Sequence, residues 1–227
     1  SRIIIWVLLA AVLAGGGYLR LVGSDWDQDQ HLHPDERFLT MVESSISPVD
    51  SVSEYFDTAN SSLNPANRGH GFYVYGTLPL FLVRYAAEAM DQTGYSSVHL
   101  VGRQLSALVD LLTVFVVFLI GTQLFDRRVG LLGAAFSAFA VLQIQQSHFF
   151  TVDTFLTFFT VLAFYFAVEV AVADRGQLKL SSFLLFGLAL GMAASSKINA
   201  LPVALTLPAA AILYWQKLSE EQRMDAV

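Results

Sequence analysis

Five carboxylates, two histidines and an arginine crowd into fourteen residues near the start of the chain, Asp25-Trp-Asp-Gln-Asp-Gln-His-Leu-His-Pro-Asp-Glu-Arg-Phe38. Acids packed this closely raise one another's pKa and can ligate cations or act as general bases. Solvated loop acids need no such role, and Asp25, Asp27 and Asp29 are read that way. Asp35 and Glu36 differ, because Pro34 opens a helix there and acids in a first turn suit its dipole. A second polar group, Ser147-His148-Phe-Phe-Thr-Val-Asp153, ends at an acid just inside an apolar run. Ionisable groups at that depth are costly and usually serve a site or a pathway. Ser195-Ser-Lys197-Ile-Asn199 and Arg103 add two cations suited either to snorkelling or to holding a phosphate. Asp110, deeper in an apolar run, reads as a helix–helix hydrogen-bonding group. No metal site is assigned. A divalent ion could draw ligands from His31, His33 and Asp35, though two histidines two apart say little.

The elements that must position these residues are membrane helices. Of 227 residues 55% are hydrophobic and 14% charged, with mean hydropathy +0.54, against about 25% charged in soluble domains. The expected fold is all-α, a polytopic bundle of about six spans over residues 2–22, 101–125, 129–145, 149–173, 180–194 and 200–216, the third and fifth short against the roughly 20 residues a bilayer requires. Residues 1–23 form the first span, 24–100 a loop with amphipathic interfacial helices, 101–217 a five-span bundle and 218–227 a tail. Residues 2–22 are too long for a signal h-region. Within the loop, Phe38, Leu39, Val42 and Ile46 repeat at helical spacing, so a helix along the membrane surface is expected. Residues 72–90, broken by Gly76, Pro79 and Arg84, read as interfacial or half-inserted. Gly187-x-x-x-Gly191 is expected to pack closely against a neighbour.

Arg2, Arg127, Arg128, Arg175, Lys179, Lys217 and Arg223 fall on one side if the segments alternate. That side is expected to be cytoplasmic, with the N-terminus inside and residues 23–100 outside. An integral protein of the plasma or inner membrane is the expected setting. Zero cysteines exclude disulfides and thiolate chemistry. A net charge of −6 without a basic stripe excludes nucleic acid as main partner. No broken-helix repeat of the transporter kind is visible. The chain reads as part of a longer protein.

At these residues the sequence resembles the GT-C glycosyltransferases, the superfamily of protein O-mannosyltransferases and aminoarabinose transferases. The resemblance lies in His33-Pro-Asp-Glu-Arg-Phe38, Tyr75-Gly-Thr-Leu-Pro-Leu80, Gly102-Arg-Gln-Leu-Ser106, Gln145-Gln-Ser-His-Phe-Phe-Thr-Val-Asp153 and Ser196-Lys197. It implies inverting transfer of a sugar from a polyprenyl-phosphate carrier to an acceptor on the external face, without a required cofactor. Carried over residue by residue, Asp35 is the catalytic base with Glu36 beside it. Arg103 and Lys197 lie near the carrier phosphate, with Asp153 and His148 also at the substrate. Where many members have Lys-Pro-Pro-Leu this chain has Thr77-Leu-Pro-Leu80, so a phosphate-binding lysine is missing there. Membrane lipids and the lipid donor are the expected partners. The alternative is a non-catalytic scaffold or accessory subunit of the same fold, docked in a larger membrane complex.

Overall fold

The computed structural model describes the backbone of residues 2–224 and the side chains of residues 2–218. Ten α-helices and two 3-10 segments follow one another, with no strand among the described residues. The long helices are α1 (Arg2–Leu21), α5 (Tyr95–Leu124), α8 (Val152–Val172), α9 (Leu180–Ser196) and α10 (Thr206–Met224). Shorter ones are α2 (Pro34–Glu43), α3 (Val52–Phe56), α4 (Leu78–Ala89), α6 (Arg127–Ala138) and α7 (Val141–Ser147). The chain is an integral membrane protein, a polytopic helical bundle.

Span by span, the expectation of six is only partly met. Among the described residues four stretches are long and apolar enough to cross: α1, α5, α8, and α10 with the 3-10 turn that leads into it. The expected third span is bent by 59° between α6 and α7, so it crosses as a broken pair or not at all. At 17 residues α9 rises about 25 Å, short of a hydrocarbon core of about 30 Å. Helix α5 begins six residues earlier than the apolar run indicates, carrying His99 and Arg103 on its first turns. The expected 218–227 tail continues α10 as far as Met224, and its remainder lies outside the described residues.

The loop between α1 and α5 is folded down onto the end of the bundle. Leu39, Val42 and Ile46 are buried with Leu80 and Val83 of α4, Val98 and Val101 of α5, and Phe150 and Phe155 at the start of α8. The amphipathic stripe of α2 therefore faces protein rather than lipid. Burying such side chains contributes about 1.5–3 kcal/mol each, and this anchors the loop. Within residues 72–90 the helix is α4, 12 residues long. A Cβ added at Gly187 or Gly191 would meet nothing within 4 Å, and both residues line an open groove, so the expected tight helix contact is not there. Close approach occurs instead where Gly130 of α6 meets Gly121 of α5.

Candidate active site

Two polar clusters form at the loop end of the bundle, one closed and one open. The closed cluster is centred on Arg103, which is 1% exposed. Its Nε and Nη2 donate to Glu36 Oε1 and Oε2, both at 2.7 Å. Nη1 and Nη2 donate to Asp27 Oδ1 at 3.0 Å and Oδ2 at 2.9 Å. The remaining Nη1 proton goes to the Ser24 carbonyl at 2.8 Å. All five guanidinium donors are thus used. Glu36 Oε1 also accepts the Phe150 backbone N–H at 2.8 Å. Gly102 makes this approach feasible, since a Cβ there would collide with the Phe150 side chain. Trp26 lies over the guanidinium, 5.1 Å from ring to Cζ.

Sequence reasoning misplaced three residues of this cluster. Arg103, expected at the carrier phosphate, has no donor left to offer one. Glu36, expected beside the base, points inward and is fully buried. Asp27, read as a solvated loop acid, is 4% exposed. Burial alone would raise its carboxyl, but hydrogen bonds and charge from Arg103, with the Leu32 N–H, hold it below the usual carboxylate range. The only sequence hint was the Gly102-Arg103 pair opposite an acid-rich loop.

The open cluster contains Asp35, Tyr75, Asp153 and Lys197. Asp35 is exposed, one residue from Glu36 but turned about 100° around α2. Burial, followed by the nearby Asp35 and then the charge of Asp153, raises the Tyr75 phenol. Lys197 Nζ reaches Asp153 Oδ1 at 2.8 Å and lies 6.0 Å from the Tyr75 ring centroid. The two side chains are 33% and 44% exposed, so this pair meets solvent. Gly76 joins the Tyr75 loop to the end of α9. Its N–H donates to the Ser196 carbonyl at 3.0 Å, and a Cβ at residue 76 would collide with the backbone of Ser195 and Ser196.

His148 belongs to neither cluster. Its ring nitrogens meet the Ile144 carbonyl at 2.7 Å and the Val22 carbonyl at 2.9 Å, and its own carbonyl accepts from Trp26. His33 caps α2, its Nδ1 accepting from the Glu36 N–H, and packs against Phe149. It is turned away from His31, which meets His99 of α5. The trio His31, His33 and Asp35 is therefore not gathered. Asp110 does bridge helices, accepting from Arg20 Nε at 2.7 Å, while Arg20 also ties to the Ala138 carbonyl.

Residues 70–226 match the family model described as dolichyl-phosphate-mannose-protein mannosyltransferase, more than two thirds of the 227 residues. The chain belongs to this family. That makes it a member of a group of membrane glycosyltransferases. The match takes in Tyr75, Arg103, His148, Asp153 and Lys197 and begins after α2, so Asp35 and Glu36 lie outside it. No curated protein and no solved structure matches the chain.

Proposed function

We propose that the open cluster is where a sugar leaves a polyprenyl-phosphate carrier for an acceptor hydroxyl, with Asp35 as general base and Lys197 at the phosphate. The observation that supports this most is the contrast between the two cations. Arg103 is buried with every donor used. Lys197 is accessible, and Asp153 takes one of its three ammonium donors. In the proposed step the acceptor oxygen attacks the anomeric carbon as Asp35 takes its proton. The bond from that carbon to the phosphate oxygen breaks, and the electron pair leaves with the phosphate, where the Lys197 charge stabilises it. Tyr75 lies near Asp35, and Asp153 holds Lys197 within reach.

A groove of about 360 Å³ supports this placement. It passes Phe81, Leu78, Leu188 and Met192 and ends at Ser195, two residues from Lys197. The bare backbones of Gly187 and Gly191 widen it, giving an apolar channel of the kind a prenyl chain occupies. We place this end of the bundle outside the cell. Arg2, Asp126, Arg127 and Arg128 line one surface of the opposite end, and Lys179 and Asp174 line another. A bias of basic residues to one end favours that end being cytoplasmic.

The test is Asp35→Asn, which keeps shape and removes the basic oxygen. A positioned base contributes about 10²- to 10⁴-fold in rate, so single-turnover transfer from a polyprenyl-phosphate sugar should fall by at least the lower figure with donor affinity retained. Lys197→Gln should instead weaken donor affinity. Full turnover in Asp35→Asn would remove Asp35 as the base, whereas wild type that transfers no sugar would favour a scaffold role.

A further inference from the structure

A third group of side chains, on the far side of Arg103 from Asp35, has no part in the proposed transfer. His99 lies on α5 one turn before Arg103 and is 0% exposed, yet neither of its ring nitrogens has a hydrogen-bond partner. His31, 4% exposed, leaves its Nδ1 unpartnered as well. The two rings meet edge to face with centroids 4.6 Å apart. Buried polar atoms are nearly always satisfied, and each that is not costs about 1–3 kcal/mol. Three orphaned imidazole nitrogens in one place call for a ligand.

We propose that Asp29, His31 and His99 bind a divalent transition-metal ion of the zinc class. One ligand atom from each lies within 4.8 Å of the others, and His31 Nε2 is already 2.9 Å from Asp29 Oδ1. Ligands around a tetrahedral zinc with bonds of about 2.0–2.1 Å stand roughly 3.3 Å apart, so a small side-chain movement closes the set. Two imidazoles and one carboxylate suit zinc and its neighbours and are a poor match to calcium or magnesium, which prefer oxygen. Asp29 is half exposed, which gives the ion an entry path.

Asp25 and Asp27 also come within 4.8 Å of a His99 ring nitrogen. Asp27 is committed to Arg103, so these acids stand as outer partners of the ring rather than as the primary ligand set. Gln28, Asp29 and His31 all adopt positive φ, at 49°, 64° and 47°. This sparsely populated backbone turns the Asp29 and His31 side chains toward α5. An ion there would fasten the 22–33 loop to α5 beside the Arg103 cluster. Its role would be to hold the loop that leads into α2.

The experiment uses tag-free protein in nanodiscs, stripped with chelator and titrated with Co²⁺ and then with Zn²⁺. Wild type should show visible Co²⁺ absorption of low-coordinate N/O type, saturating at one ion per chain and displaced by Zn²⁺. Asp29→Ala, His31→Ala and His99→Ala should each weaken binding by at least about 100-fold, the upper range for loss of a mere outer-shell partner. Asp153→Asn should leave the titration unchanged. Asp29→Ala is the variant that disturbs packing least, so it decides the matter if a histidine variant does not insert. Wild type that takes up no Co²⁺, or binding that is undiminished in Asp29→Ala, overturns the proposal.

Discussion

Replacing Arg103 with Gln separates a cation that binds substrate from one that holds the fold. In the structure Arg103 faces two carboxylates whose side chains are both 0% exposed. Removing one member of a buried pair costs about 3–5 kcal/mol, because the other charge is left without compensation. Here two carboxylates and the Ser24 carbonyl lose their partner together. Proton uptake or water entry relieves part of that, so an expected loss of about 3–5 kcal/mol is kept for the whole cluster. Total stabilities run at about 5–15 kcal/mol, so this is a third or more of a typical value. Arg103→Lys should recover little, since three donors on a point charge replace a five-donor fork that serves five acceptor atoms. The triple variant Arg103→Met, Glu36→Gln, Asp27→Asn should recover more than half, because no charge then remains buried. Equilibrium unfolding in mixed micelles, followed by tryptophan fluorescence, reads all three. Arg103→Gln with wild-type unfolding and weakened donor-lipid binding would refute the reasoning and return Arg103 to the phosphate.

Two further outcomes follow from the same geometry. Gly76→Ala has no space for its methyl against the Ser195–Ser196 backbone, so the Tyr75 loop must leave α9. Transfer should fall by tenfold or more with little change in unfolding, and an unaffected rate means the loop does not position the site. Glu43 of α2 is fully buried with neither carboxylate oxygen bonded. Burial pushes its carboxyl well above the usual range, against the pull of Arg84. A carboxyl raised in the folded state stabilises most below its unfolded pKa, and that contribution is lost as pH rises toward the folded value. Glu43→Gln should therefore be as stable as wild type at acid pH and more stable at neutral pH. A wild-type advantage at neutral pH contradicts this.

Membrane class, the helices near residues 2–22 and 149–173, and the start of α2 at Pro34 were legible because hydropathy and caps are local signals. Segment lengths were not. The bend at residues 139–140 and the early start of α5 depend on what packs beside them, which a window of apolar residues does not see. The site divides along the same line. Asp35, Asp153 and Lys197 could be singled out as polar residues at apolar boundaries. Whether a given charge is fastened or free depends on partners far away in sequence, 76 residues for Arg103 and Asp27. The buried pairing of Arg20 with Asp110 across 90 residues is another such case. His99 carried no sequence signal at all, because a lone histidine on an apolar helix is usually a satisfied core residue.

The Asp35-Glu36 dipeptide shows why neighbouring acids need not share a task. A helix turns 100° per residue, so when one acid of such a pair points into the bundle the other points to the side. Glu36 takes the inward direction, where Arg103 and the Phe150 N–H bind it to α5 and to the entrance of α8. That contact fixes the rotation of α2 about its axis and, with it, the direction of Asp35. The cost of burying Glu36 is thus offset by a cation that is itself unable to bind substrate, and the benefit appears one residue earlier as a positioned, accessible carboxylate. Loss of Glu36 and loss of Asp35 should both abolish transfer, for different reasons. Only the first should also lower the unfolding midpoint, so turnover measured together with stability distinguishes the base from the residue that aims it.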